Sequence, residues 1–431
     1  MDITALEHDL RTYRPPGQTG WPAQFIWPRY KGLSAGNLPA TLLQLFGVEA
    51  TGLLPPLRAD LLAGLTDGVE RVVVLTLDGL GWEQLQAVMA RYDDLIFHRL
   101  AERGRLLPLT TIFPSTTNNV LATLRTGVAP VTHGLLAYEL YLREFHVAAE
   151  CISFSPLAQR NRGLLADWGL EAEHFLPVPS LAMQMAAAGL PTEQVIAGHL
   201  ISGPLSEMYF RGVREIHGHS AASDFWVTLQ ALLRAHAGER LLLDGYWSAV
   251  DTLAHRHGPQ HLTGEAEVRS IAYMLEALFL KGLRATEREG TLLLILADHG
   301  QLRTPAEGAV VLSEHPELRE RLLLPSLGEA RAPFLYVRSG QEAWVRAYLE
   351  THFEESFHCL SQAELLASGL LGPGPVYGET PHRLGDLICI AKGDQIFVRD
   401  RTSLERLKGR HGGLLAPEML VPLFAVRLEA L

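Results

Sequence analysis

Cysteine is scarce in this sequence. There are three in 431 residues, Cys151, Cys359 and Cys389, an odd number set far apart along the chain. They show no metal-ligand spacing, and so sparse a set excludes a disulfide framework; a reduced, cytoplasmic protein is the expectation. Long apolar runs are also missing. None approaches the roughly 18 residues that a membrane span requires. The N-terminal stretch MDITALEHDLRTYRPPGQ carries acidic residues and no apolar centre, so it does not read as a secretory signal. Positive charge is in deficit: 37 Lys and Arg against 48 Asp and Glu leave a formal net charge of −11. That balance argues against a nucleic-acid duplex as partner. Internal repeats and low-complexity tracts are absent.

What is present is ample core material. The chain is 47% hydrophobic and 20% charged, and its length suits two or three domains or one large domain with insertions. Residues 1–65 are rich in Pro and Gly and read as an N-terminal arm with a short helix near 37–48. RVVVLTL (71–77) is apolar without alternation, the mark of a strand buried on both faces of a parallel sheet. Further strands are expected at 192–198, 240–247, 291–297 and 332–339. Helical patterns lie at 82–91, 180–188, 222–236, 265–285 and 342–352. This alternation predicts an α/β fold with a mainly parallel central sheet and helices on both faces. The core is expected over 66–330, with a possible insertion in 139–240 that continues the α/β pattern. DLICIAKGDQIFVRD (386–400) reads as two strands around a Gly-Asp turn, within a small α+β subdomain at 331–408. Residues 409–431 then return to the core.

Several polar residues fall where such a sheet binds ligands, beyond the carboxyl ends of its strands. Asp78 follows the first strand in LTLDGLGW. Asp298 and His299 follow another in LLILADHGQ. Asp-Gly after a strand is by itself most often a turn, whereas Asp-His-Gly sets an acid and an imidazole beside a backbone able to approach a ligand closely. In YWSAVDTLAHRHGP, Asp251 and His255 are four apart and share a helical face; a solvated face with a capping Asp is the plain alternative. His411 lies among glycines in GRHGGL. Three carboxylates and three imidazoles suffice for two metal ions, and a metal pair clamps the attacking and leaving oxygens of a phosphoryl displacement. FPSTTNNVLATLRTG (113–127) supplies hydroxyls at a helix N-terminus, where anions are favoured. Some of these five polar residues, Ser115 to Asn119, are expected to cap that helix, and at least one to face the substrate.

The order Asp-Gly, Thr at a helix start, Asp-x-x-x-His, Asp-His-Gly, His-Gly resembles the alkaline phosphatase superfamily, and within it the type I phosphodiesterase/nucleotide pyrophosphatase branch. The resemblance runs from about Arg71 to Ala425. Thr126-Gly127 and His133-Gly134 fit the family's spacing from its nucleophile, and counting back ten from Gly127 gives Thr117. The resemblance implies that Asp251, His255 and His411 hold one metal and Asp78, Asp298 and His299 the other. It implies two Zn²⁺, with Mn²⁺ used in some branches. The family's phosphate-binding Asn after His-Gly is replaced here by Ala137 and Tyr138, so Asn118 or Asn119 is expected to take its role.

The implied activity is hydrolysis of a small-molecule phosphate ester, by resemblance a phosphodiester or pyrophosphate, through a phosphothreonine. A phosphomonoesterase, with Arg125 as its added cation, and a phosphonate-ester hydrolase are the near alternatives. A phosphotransferase or mutase is a second class, distinguished by whether labelled water enters the product. A non-catalytic binding module is the third.

Overall fold

The computed structural model describes residues 2–159 and 161–431. Its central sheet has seven strands: β1 (Arg71–Leu77), β2 (Arg105–Thr110), β3 (Thr192–Ala197), β4 (Glu215–His219), β5 (Leu241–Trp247), β6 (Thr291–Leu296) and β7 (Leu420–Arg427). The spatial order is β2-β7-β6-β1-β5-β3-β4. From β6 to β4 every pairing is parallel, while β7 runs antiparallel to both β6 and β2. Every residue of β1, β5 and β6 is buried. Strands buried on both faces must be apolar at odd and even positions alike, which is why these three were legible as runs.

β2 and β7 were not foreseen as strands. Each carries an internal proline, and Pro422 lies directly opposite Pro108. Neither can donate to the other, so they occupy a non-hydrogen-bonded pair. The missing donor of Pro108 then faces the open edge of the sheet. That of Pro422 lies just before pairing with β6 begins at Leu423.

This topology decides where the site lies. β1, β2, β5 and β6 all end at the same edge, and antiparallel β7 begins there. The segments after β1, β2, β5 and β6, and the loop before β7, therefore converge.

A second, antiparallel sheet orders strands Phe357–Ser361, Leu387–Ala391, Ala332–Leu335, Leu327–Glu329, Glu139–Leu142, Val147–Glu150 and Ser155–Pro156. Residues 139–156, read as continued α/β pattern, thus cross over to this sheet. The expected pairing within 386–400 does not form. Leu387–Ala391 pairs with Phe357–Ser361, whereas Phe397–Val398 pairs with Val310–Val311. The connection between them is held instead by Arg331, whose Nη1 donates to the carbonyls of Gly393 and Gln395.

Arg331 and Glu418 form a fully buried bidentate pair, at 3.0 and 2.8 Å. Glu418 also accepts the Gly413 N–H at 2.8 Å and the Leu415 N–H at 3.3 Å. The pair joins the second sheet to the loop before β7. The N-terminal arm supports the same loop: Phe25 and Trp27 are buried, and the Ile26 N–H donates to the Leu414 carbonyl at 2.7 Å. Glu418→Ala leaves a buried guanidinium unanswered and should cost about 3–5 kcal/mol. Urea unfolding of the variant beside the parent measures this; a loss below about 1 kcal/mol would show that the pair is not a structural tie.

Candidate active site

Glycine brings the first two acids together. Gly79 follows Asp78 at φ +75°, and a Cβ there would lie 2.8 Å from the Asp251 Cα. The loops touch through backbone bonds: the Asp251 N–H donates to the Asp78 carbonyl at 3.0 Å, and the Asp78 N–H to that of Trp247 at 2.9 Å. The Gly79 N–H donates to Asp298 Oδ1 at 3.0 Å, drawing in the end of β6. Gly300, after His299, allows an equally close approach, since a Cβ there would fall 2.1 Å from the Pro417 carbonyl oxygen.

The six predicted ligands gather into two groups, Asp251–His255–His411 and Asp78–Asp298–His299. Within each, the potential ligand atoms lie within 4.8 Å of one another. In the first group, His255 Nε2 lies 3.4 Å from Asp251 Oδ1 and 3.3 Å from His411 Nε2, and His411 Nε2 lies 3.7 Å from Asp251 Oδ1. In the second, His299 Nε2 lies 3.5 Å from Asp78 Oδ1 and 3.4 Å from Asp298 Oδ2. Ligands about 2.1 Å from a tetrahedral metal are about 3.4 Å apart. The His299 and His411 rings stack with centroids 3.8 Å apart, so the groups adjoin.

Three further observations fit a metal. Each imidazole turns Nδ1 to a carbonyl, that of Gly409 (2.8 Å), Ser115 (2.9 Å) or Gly300 (3.1 Å) for His255, His411 and His299. This fixes the tautomer that aims an Nε2 lone pair inward. Asp78 Oδ1 and Asp298 Oδ2 are buried and have no hydrogen-bond donor among the described residues. Finally, burial, together with the neighbouring Asp298 and Asp251, raises the Asp78 carboxyl well above its ordinary range. Burial and the adjacent His299 and His255 likewise push His411 well below its usual value. Two side chains that the sequence did not single out hold these ligands. Tyr246 donates its hydroxyl to Asp78 Oδ2, and Gln301 donates to Asp251 Oδ1. Neither belongs to a recognisable motif.

The crowded helix start resolves into separate tasks. Helix Thr117–Thr126 begins at Thr117, whose Oγ1 lies 3.0 Å from His299 Nε2. The expected cap is absent: Thr116 is the N-cap residue, yet among the described residues no side chain caps the first-turn N–H groups there. Ser115 is turned away, its hydroxyl donating to the Gly413 carbonyl at 2.8 Å and accepting the Gly412 N–H at 3.1 Å. It braces the loop carrying His411. Thr116 and Glu329 both line the cavity. The first-turn donors are thus left open toward the cavity. Asn118 lines that cavity, and its Nδ2 donates to the carbonyl of Ala137, the residue standing where the family's Asn would fall. Asn119 does not line it. Being one residue on, it points about 100° away, is fully buried, and donates to the Pro114 carbonyl at 2.7 Å.

The cavity, of about 520 Å³, opens onto Thr117, Asp251, His255 and His411, and its far wall comes from the second sheet. Glu329 and Arg410 line it and were not foreseen. Burial pushes the Glu329 carboxyl up to about 7 and the Arg410 guanidinium down to about 10. Glu329 had no sequence signal; Arg410 had only its place beside His411. Arg125, the expected added cation, is committed elsewhere, since it forms a buried bidentate pair with Asp244.

The raised Asp78 value has a sign that can be tested. In the unfolded chain this group titrates near an ordinary value of about 4. In metal-free folded protein its charging is opposed, so the penalty grows as pH rises from there through the raised folded value. After chelation, Asp78→Asn should therefore raise the melting temperature at pH 8 and change it little near pH 4. With divalent metal added the same variant should melt lower than the parent. Melting curves in both states check this, and a variant that is less stable in both would remove the charge-repulsion account.

A family model described as type I phosphodiesterase/nucleotide pyrophosphatase matches residues 72–414. No curated protein matches the chain significantly in sequence. Among solved structures, murine ectonucleotide pyrophosphatase/phosphodiesterase 5 is similar at 16% identity and a TM-score of 0.63, over 82% of this chain and 87% of that one. Its inactive Thr-to-Ala form in complex with AMP has a TM-score of 0.64 at 16% identity, over 83% and 88%. Phosphonoacetate hydrolase from Sinorhizobium meliloti 1021, in complex with phosphonoacetate, has a TM-score of 0.57 at 16% identity, over 82% and 89%. These likenesses show the alkaline-phosphatase-like α/β fold. Since the family model covers most of the chain, from the second residue of β1 through the His411 loop, the protein belongs to the type I phosphodiesterase/nucleotide pyrophosphatase family.

Proposed function

We propose that this enzyme hydrolyses a small-molecule phosphodiester or pyrophosphate through a covalent phosphothreonine on Thr117. The observation that carries the reading is the Thr117 hydroxyl, 3.0 Å from His299 and at the first residue of its helix. Asp251, His255 and His411 would hold one divalent cation, and Asp78, Asp298 and His299 a second. Zn²⁺ suits such mixed carboxylate–imidazole sets, with Mn²⁺ the alternative. Bound there, the ions would lower the pKa of the attacking hydroxyl and offset charge on the phosphoryl oxygens.

The protein's own groups supply the rest. Thr117 Oγ gives up its proton and forms a bond to phosphorus as the bond to the leaving oxygen breaks, and the leaving oxygen takes up a proton. Water then attacks phosphorus, and the Thr117 oxygen departs and regains its proton. The open N–H groups ahead of Val120, whose own N–H is bonded to the Thr116 carbonyl, face the phosphoryl group. Asn118 donates its second amide hydrogen to a non-bridging oxygen. That a solved relative is described as inactive when a Thr is replaced by Ala supports a threonine role.

A monoesterase is the second reading, favoured by one observation: Arg410 lines the cavity beside His411, where it could meet the extra charge of a monoester. A panel of bis-p-nitrophenyl phosphate, p-nitrophenyl phosphate, a nucleoside monophosphate p-nitrophenyl ester and a phosphonate ester, with Zn²⁺ or Mn²⁺, separates these. Preference for p-nitrophenyl phosphate would overturn the diester assignment.

Thr117→Ala should lower kcat/KM by at least roughly a thousandfold while shifting stability by less than about 0.5 kcal/mol. Asn118→Ala, which removes one donor, should cost about a hundredfold in kcat. Kinetics beside melting curves check both, and a Thr117→Ala enzyme that still turns over would exclude the phosphothreonine.

Chelator should abolish turnover but leave the circular dichroism spectrum largely unchanged, because the ligands sit at strand ends above an apolar core that does not need the ions. Loss of the helical signal on dialysis would show the ions to be structural.

A further inference from the structure

Two of the three cysteines, far apart in sequence, are opposite each other in the second sheet. Strand Phe357–Ser361 lies at its edge and pairs antiparallel with Leu387–Ala391, in a register that sets Cys359 against Cys389. The kind of pair follows from the flanking bonds. The Gln362 N–H donates to the Asp386 carbonyl at 3.0 Å, and the Lys392 N–H to that of Ser356 at 2.8 Å. Those residues are directly opposed in the same register, so they are hydrogen-bonded pairs. Such pairs alternate along an antiparallel ladder. Cys359 and Cys389 therefore occupy a non-hydrogen-bonded pair, where Cα atoms are about 4.5 Å apart and side chains come closest. A disulfide accepts Cα separations of about 4.4–6.8 Å.

Both side chains are on the same face, against the cluster formed with Val345 and Leu349 of helix Glu342–Phe353. Cys389 is buried and Cys359 is half-buried on the open edge strand. Burial, and then the Cys359 sulfur, raise the Cys389 thiol well above its usual value. The edge cysteine is thus the one an oxidant reaches first.

We propose that Cys359 and Cys389 are a site of reversible oxidation, closed by a hydroperoxide into a cross-strand disulfide. The Cys359 thiolate attacks the peroxide oxygen, the O–O bond breaks, and the released hydroxide is protonated to water. Cys359 is then a sulfenic acid. The Cys389 sulfur attacks that sulfur, the S–S bond forms, the S–O bond breaks, and a second water leaves with the Cys389 proton. Two thiols and one hydrogen peroxide thus give one disulfide and two waters. The closed loop includes Tyr377, Thr380 and Arg383, all of which bond to the turn at Val131–Gly134 that follows the Thr117 helix. The bridge fastens the segment buttressing that turn.

The test uses the full chain and hydrogen peroxide, followed by peptide mass spectrometry without reduction, thiol counting in denaturant and melting curves. The expected result is one intramolecular Cys359–Cys389 crosslink, two thiols lost of the three, and a melting temperature several degrees higher. Dithiothreitol should reverse all three. Cys359→Ser and Cys389→Ala should each abolish the crosslink and the shift, while Cys151→Ala should retain both. Cys359 oxidised to sulfinic acid with Cys389 still a free thiol would overturn the proposal, and so would a crosslink that persists in Cys359→Ser.

Discussion

A guanidinium with no exposure to water must find a partner for its charge, and Arg331 finds it in Glu418. On one side Arg331 gathers the carbonyls of Gly393 and Gln395, shaping the turn that leaves the second sheet. On the other, the Glu418 carboxylate gathers the N–H groups of Gly413 and Leu415. The Glu418 carbonyl accepts the Gly300 N–H at 2.9 Å. One buried pair thus sets the loop after His411, the residue after His299 and the sheet forming the far wall of the cavity. Burying two charges is costly in itself. What the pair provides is a fixed relation between these elements, beside the backbone pairing of Leu302–Arg303 with Gly409–Arg410.

That fixed relation matters because the site assembles groups that repel one another. Asp78 has two carboxylate neighbours, and His411 has two imidazole neighbours, with Asp251 and His255 half-buried and the others buried. A loosely held set would drift apart. Here the backbone bonds among Asp78, Trp247 and Asp251, and the carbonyls behind each imidazole, hold ligand atoms near the spacing of a tetrahedral edge. The uncompensated negative charge and the inward Nε2 lone pairs would both be answered by a cation.

The helix start shows how one short polar run is divided among tasks. Ser115 braces the His411 loop, Thr116 lines the cavity with Glu329, Thr117 faces His299, Asn118 lines the cavity and Asn119 closes the turn at Pro114. No side chain caps the helix. Capping would occupy first-turn N–H groups that, left open, favour an anion.

The sequence by itself determined the parallel core and singled out the six Asp and His side chains that gather at its edge. Strands such as RVVVLTL, buried on both faces, have to be apolar throughout, and Asp78, Asp298 and His299, placed directly after such strands, are carried to one edge of the sheet whatever the intervening loops do. The tertiary structure alone decided the rest. β2 and β7 were hidden because their prolines read as breaks, and only the facing of Pro108 and Pro422 makes them tolerable in a sheet. Glu329, Tyr246 and Gln301 act through contacts with residues distant in the chain, so no local pattern marks them. The register of Cys359 on Cys389, and the tasks of Ser115 and Thr116, likewise depend on which segments meet. Period and spacing record which face of an element is buried; they do not record which distant atoms will fill the hydrogen bonds on that face.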